Sequence, residues 1–432
     1  MIANDLLRAE ADRIIQLLQT DFLLPSGALS LQRIQGNLDQ RTSLSDLGDI
    51  VPFLLYFQAH DLAVCQIEAA RSIAPDGLLL SETPTHGVHG FYKSYEYTDY
   101  ILGLLAYYDY SRQPTDKNYL TQTIDTAVAL FRFNHNWISY DHRGWPWQLP
   151  IRDYRDGMFV ELLAQATVAL EQPSYLQLAQ VFGDHLLADS QWKQWGIWPS
   201  FSFGGRAYHL WSRLLPRLRR FELVKANSNT IFGLLQLYRQ APEQALRKAI
   251  ETSLNAVIEH FTTAEGKVWS QFEPGIGASK ETVTAAFTLI EMLCDASVVL
   301  RQPSYVGVAR RIADYWLLQQ SNLGLFPLSP GRSKSFVDSN TDMIVALYKL
   351  AELSMETKYR QAADRCLDGM VTTFGTHNYP LHLDGTTGEV VNNVIKSKFL
   401  ALFLKAIILK LEFDDGHTIY QTPTLFELLK DR

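Results

Sequence analysis

The sequence predicts an all-α protein, a closed ring of helical hairpins joined by short extended segments, and three observations carry that prediction. First, one pattern recurs: a small turn, often with Pro, then a helix that opens with Tyr or Leu and carries Ala one turn later. Its copies read RQPTDKNYLTQTIDTAVALF, EQPSYLQLAQVFGDHLL, QAPEQALRKAIETSLNAVI, RQPSYVGVARRIADYWLL and METKYRQAADRCLDGMV, marked by Tyr119, Tyr175, Gln244, Tyr305 and Tyr359. The period is about 60 residues, a hairpin plus its connection, and such self-similarity signals a repeat architecture. Second, a more apolar helical stretch precedes each copy. Third, each hairpin is followed by a Gly/Pro-punctuated, often aromatic-rich segment: PDGLLLSETP, HRGWPWQLP, WGIWPSFSFGG, EGKVWSQFEPG, LGLFPLSPG and YPLHLDGTTG.

Along the chain, a helix over 4–20 comes first. A diverged hairpin over 46–74 follows, with Pro52 near a first turn, the helical position that tolerates it. The apolar partners of the five marked helices are DYILGLLAYYDYS, DGMFVELLAQATVALE, NTIFGLLQLYRQ, TVTAAFTLIEMLCDASVVL and TDMIVALYKLAELS. Helices that are apolar nearly all round need burial all round, which places these inside; amphipathic ones such as VGVARRIADYW form the outer layer. A last helix over 391–413 pairs with the first and closes the ring. The expectation is one domain over 1–432, six hairpins plus a terminal helix pair.

Composition narrows the function. With 47% hydrophobic and 20% charged residues in 432, the chain is no disordered segment. A net charge of -7 offers no field for a phosphate backbone, so nucleic acid is not an expected partner. Asp5, Arg8, Glu10, Asp12 and Arg13 interrupt what a secretion signal would need. The greasy run from Phe399 to Phe413 is broken by Lys405, Lys410 and Glu412 and falls short of the roughly 20 residues of a membrane span. Cys65, Cys294 and Cys366 read as buried, reduced thiols, and a cytoplasmic location is expected. The sequence holds no Walker A, HExxH, GxSxG or CxxC pattern.

This arrangement resembles the (α/α) toroids of six or seven hairpins, the superfamily of six-hairpin glycosidases and N-acylglucosamine 2-epimerase-like enzymes. The resemblance covers the whole chain and rests on architecture. It implies a small-molecule substrate, a sugar, in a central cavity, with no cofactor or metal.

Candidate site residues gather where inner helices start. SDLGD holds Asp46 and Asp49, YEYTD holds Glu96 and Asp99, DYRD holds Asp153 and Asp156, and DSNTD holds Asp338 and Asp342; NSN and NN occupy the same place in two other units. Inner helices of a ring start at one end, so these groups converge on one mouth. Asp and Asn are also favoured N-caps. One helix needs one cap, however, and residues three or four apart share a face, so the second member of each pair points a charge inward. Asp99, Asp156, Glu273, Asp338 and Asp342 are the candidate catalytic carboxyls, with His142 as an acid/base alternative. Asp46, Asp49, Glu96 and Arg143 would bind hydroxyls. Trp145, Trp147, Trp198, Trp269 and Phe326 would stack on sugar rings, and His382 completes the set.

The expected chemistry is glycoside hydrolysis by paired carboxyls with inversion. The alternatives are sugar epimerisation through His142 or His382, a terpene-type cyclase using Mg2+ on the Asp-rich segments, and a non-catalytic binding ring.

Overall fold

The structure, a computed structural model, describes residues 2–80, 92–133, 136–137, 140–141, 151–153, 157–203 and 220–419. Among these, seven inner units stand in a ring. They are a 3-10 segment Leu44–Asp49 leading into α2 (Val51–Tyr56), then α4 (Ser94–Ser111), α6 (Gly157–Leu170), α9 (Ser228–Gln240), α11 (Val283–Val299), α13 (Val337–Ser354) and α15 (Ser397–Asp414). Each packs on the next, and α15 packs back on α2 and the 3-10 segment, so the ring closes. Outside lie α1 (Asn4–Asp21), α3 (His60–Ile73), α5 (Pro114–Phe131), α7 (Pro173–Leu187), α10 (Gln244–Phe261), α12 (Ser304–Leu317) and α14 (Thr357–Gly369), each against its own inner helix. The first helix, α1, packs on the last, α15, as the seventh pair. A short α8 (Ser190–Trp195) follows α7.

The two layers follow from the residues. In α12 the buried positions Tyr305, Ala309, Ile312, Ala313 and Trp316 form a single stripe, as one covered face requires. In α11 burial runs nearly around the helix, from Val283 to Ser297, because neighbours cover it on both flanks and from outside. Small residues let inner helices touch. A Cβ placed on Gly233 would sit 2.0 Å from the Gly157 carbonyl oxygen, so α6 and α9 meet backbone to backbone.

The extended connections pair into small antiparallel sheets. One joins β12 (Lys334–Phe336), β13 (His382–Asp384) and β14 (Val390–Asn392). Another joins β9 (Phe221–Glu222), β10 (Trp269–Glu273) and β11 (Gly277–Glu281). A third sets β15 (Val394–Lys396) against β1 (Gln32–Ile34), with Gln32 opposite Lys396, tying the two ends of the ring. The last helix therefore starts at Ser397, not 391. Val390, Val391, Val394 and Ile395 are β-branched and suit a pleated edge, and Asn392 lies on a strand rather than opening a helix.

The strands also settle how inner helices begin. β3 (Tyr92–Lys93), β12 and β15 run directly into α4, α13 and α15. The residues at the helix entry, Lys93, Phe336 and Lys396, are extended and make no side-chain cap hydrogen bond. Asp99, Asp338 and Asp342 are thus not N-caps. Backbone from the neighbouring connection helps instead, as where the Val337 amide donates to the Leu381 carbonyl at 3.3 Å.

Candidate active site

The inner-helix starts do converge. Lys398, in the first turn of α15, reaches Asp49 at 2.6 Å, Asp46 at 3.0 Å and Asp99 at 3.6 Å, joining three inner units through one ammonium. Asp338 lies in the same electrostatic field, acted on by Lys398, Asp49, Lys396 and Lys225. Four residues on, Asp342 faces the same way along α13. Neither Asp338 nor Asp342 has a hydrogen-bond or ion-pair partner among the described residues, and both are half-buried. Carboxyl oxygens that no protein group engages are available to a ligand.

Depth sets their protonation. Removal from bulk water pushes the Asp99 carboxyl up to about 8, with Lys398 opposing and Asp49 and Asp46 adding to the rise. Burial also lifts Asp338, to about 6, where Lys398 and the flanking lysines hold it down. Asp342 is pushed well above the usual aspartate range by burial and then by the charge of Asp338. Lys398 is lost from water too, yet its aspartates raise it well above an ordinary lysine, so it stays charged.

Below the mouth lies a second charged layer. Lys349 on α13 bonds Glu291 at 2.5 Å and Asp295 at 3.3 Å, both on α11. Burial raises Asp295 to about 6 and Glu161, on α6, to about 7. Burial also works on Glu291, but Lys349 and Lys405 outweigh it and hold its carboxyl low. Gln165 donates to Glu161 at 3.1 Å.

Several expected site residues belong to the wall instead. Trp198 and Phe326 are fully buried, and each is held by an asparagine at the start of the next inner helix. Asn227 accepts from the Trp198 amide at 2.8 Å and donates to its carbonyl at 3.0 Å; Asn340 does the same to Phe326 at 2.7 and 3.2 Å. The Trp198 indole N–H donates to the Leu186 carbonyl at 2.9 Å. Both rings sit in Gly-Ile/Leu-Trp/Phe-Pro segments, 196–199 and 324–327, that plug the gap between hairpins. Neither stacks on a ligand. Glu96 is also withdrawn, buried against Lys93 at 3.0 Å. Cys294 and Cys366 are buried free thiols as expected, whereas Cys65 is exposed because its position on α3 faces away from the inner ring.

Other placements are intermediate. Glu273 ends β10 at the turn into β11. On that strand Phe272 packs on His260, 4.5 Å between ring centres, and on Phe221 and Trp195. Alternation puts half-buried Trp269 and Glu273 on the opposite face. His382 pairs with Phe336 across β13 and β12, their rings 4.9 Å apart, at the entry to α13. Its Nδ1 is buried with no hydrogen-bond partner. Burial, then Lys334, lowers its pKa to about 4, so the ring is neutral at pH 7. Asp156, His142, Arg143, Trp145 and Trp147 lie outside the described residues, as does most of the basic 211–225 segment.

Sequence reasoning missed Lys398, Lys349, Glu291, Asp295 and Glu161. Their signal was present: single charges embedded in the most apolar helices, as in IEMLCD, VALYKLA and GMFVELLAQ. A charge is rarely buried in such a place unless paired.

Comparison with known proteins agrees with this geometry at the level of fold. No protein-family profile matches the sequence, and no curated protein matches it. Solved structures do match over nearly the full length. An α-1,2-mannosidase from Trichoderma reesei aligns with a TM-score of 0.67 at 12% identity, covering 94% of this chain and 92% of its own. A D-mannose isomerase aligns at 0.59 and 9% identity, covering 95% and 98%. An unsaturated glucuronyl hydrolase specific for heparin aligns at 0.55 and 10%, covering 96% and 99%. The chain has the (α/α) toroid fold. Within that fold, Asp46, Asp49 and Asp99 gather around Lys398 where three of the inner units start.

Proposed function

We propose that the toroid is a carbohydrate-active enzyme, and specifically a glycoside hydrolase that works with inversion at the mouth. The observation that carries this reading is the pair Asp99 and Asp338. They stand on inner helices three steps apart around the ring, and their environments set them on opposite sides of neutrality, about 8 and about 6. Carboxyls driven apart in this way make an acid and a base. Asp99 keeps its proton at pH 7 and donates it to the leaving glycosidic oxygen. Asp338 is ionised and takes a proton from the attacking water. Asp342, whose carboxyl burial and then the charge of Asp338 push well above the usual aspartate range, hydrogen-bonds a sugar hydroxyl. The sugar enzymes named among the solved structures of this fold support the substrate class.

The test is a panel of disaccharides and aryl glycosides followed by proton NMR, which reports both cleavage and the anomer released. Asp99→Asn and Asp338→Asn each lower turnover by roughly a hundredfold or more, the contribution of a positioned acid or base. Wild-type turnover in either variant would overturn the assignment.

A second reading rests on His382. A neutral imidazole with an unpartnered buried nitrogen beside the mouth can take a proton from a carbon next to a sugar carbonyl, which is epimerase or isomerase chemistry. Deuterium from solvent entering a sugar carbon without bond cleavage would favour it over hydrolysis.

A further inference from the structure

Three carboxyls share one ammonium at the inner-helix starts, and they do not share it equally. Lys398 Nζ lies 2.6 Å from Asp49 and 3.0 Å from Asp46, both on the 3-10 segment ahead of α2, but 3.6 Å from Asp99 on α4. The last distance is beyond ordinary hydrogen-bond reach.

This spacing is built into the backbone. A Cβ placed on Gly48 would sit 2.8 Å from the Asp99 carbonyl oxygen, and one on Gly103 would sit 2.5 Å from the Leu47 carbonyl carbon. The 3-10 segment and α4 therefore touch backbone to backbone beside the three carboxyls, and they carry those groups as one unit. The other charged groups here are Asp338 and Asp342 on α13, Lys396 at the end of β15, Lys225 ahead of α9 and Lys405 farther along α15. At Asp99, after burial, Lys398 favours the ionised carboxyl and Asp49 and Asp46 favour the neutral one.

We propose, on the hydrolase reading above, that Asp46 and Asp49 are positioning residues: they draw the Lys398 ammonium toward the 3-10 segment and away from Asp99, so that Asp99 keeps the proton it gives to the glycosidic oxygen. The pair thereby has a duty other than hydroxyl binding. Removing charge from the two sides of this contact has opposite signs. Asp49→Asn takes away a like charge and frees the ammonium for Asp99, and both changes favour ionised Asp99. Lys398→Met takes away the cation and favours the neutral form. A packing defect has no such sign reversal.

The experiment is a carboxyl 13C NMR titration of Asp99 in the full chain, beside the pH dependence of kcat/KM on a glycoside that the wild type cleaves. Asp49→Asn lowers the Asp99 midpoint, and with it the alkaline limb of the rate profile, by about 0.5 pH unit or more, and Lys398→Met raises both. Lys398→Arg keeps the charge and restores the wild-type profile. Should Lys398→Met melt early, Asp46→Asn is the second variant, with the sign of Asp49→Asn. Shifts of the same sign in Asp49→Asn and Lys398→Met, or a midpoint unmoved by every variant, would overturn the proposal. A midpoint that moves while the rate profile stays in place would overturn the hydrolase reading instead, because Asp99 would then not be the acid.

Discussion

Asn340 and Asp342 lie two residues apart on α13, and the helix turns them to opposite duties. Asn340 faces the wall and is fully buried, with its amide spent on the backbone of Phe326 and Phe336. Asp342, half-buried, has no partner among the described residues, and burial, then the charge of Asp338, pushes its carboxyl well above the usual aspartate range. Asn227, at the start of α9, repeats the wall duty on Trp198 and Glu222. Polar residues at inner-helix starts therefore divide by facing. Those turned to the wall satisfy buried backbone and hold the connections; those turned to the axis either gather around Lys398, as Asp46, Asp49 and Asp99 do, or, like Asp338 and Asp342, have no partner among the described residues, which is a cost to folding and an opportunity for chemistry.

The largest effect should come from breaking the wall side. Asn340→Ala leaves the Phe326 amide without its acceptor and takes one donor each from the Phe326 carbonyl, which keeps the Ser335 hydroxyl, and the Phe336 carbonyl; a buried orphan costs about 1–3 kcal/mol and each lost hydrogen bond about 1 kcal/mol. A loss of about 3 kcal/mol in urea unfolding is expected. A loss under about 0.5 kcal/mol would show that the asparagine clamp is not what holds the connection.

Gly233→Ala comes next. Its Cβ has no room beside the Gly157 carbonyl, so α6 and α9 must part, at about 2 kcal/mol on the scale of overpacked cores. Unfolding that matches the wild type would contradict backbone-to-backbone contact in the inner ring.

On the cavity side the sign is set by protons. Folded Asp99 holds its proton up to about pH 8, whereas an unfolded aspartate releases it near 4. The folded chain binds the extra proton across that interval, so stability is greatest at its acid end and falls as pH rises through 8. Glu161, lifted to about 7, acts in the same direction. His382 runs the other way, but only from about 4 to 6.5, below which its protonation favours the unfolded chain. Between pH 6.5 and 8 the raised carboxyls are what act among the described residues with a shifted pKa. Stability should fall there by on the order of 1 kcal/mol, and Asp99→Asn should flatten the slope. A stability that rises over that window would refute the burial-driven shift.

The smallest effect belongs to Asp342→Asn. It removes a desolvated carboxyl that makes no protein hydrogen bond among the described residues, so the melting temperature should stay level or rise while sugar binding weakens. A marked loss of stability would move Asp342 to the wall class.

Much of this was legible in the sequence, for physical reasons. The tyrosine-marked repeat and the apolar circumference of TAAFTLIEM fixed two layers, and the pairing of the terminal helices anticipated the seventh unit. What stayed hidden depends on facing and on partners distant in sequence. Trp198 and Phe326 looked like stacking platforms because aromatic connections suit ligands, but Asn227 and Asn340 turn them into plugs. Lys398 opens α15 more than 290 residues after Asp99, and only ring closure brings them together. The 391–396 stretch reads as helix until β1 is available to pair with it.

The central claim is that the carboxylates around Lys398 receive a sugar. Its most direct test is a crystal of the full chain soaked with the mixed disaccharide panel. A sugar ring is expected among the inner-helix starts, with hydroxyl or glycosidic oxygens within hydrogen-bond distance of Asp99, Asp338 and Asp342. A sugar bound elsewhere on the molecule, with those three carboxyls untouched, would contradict it.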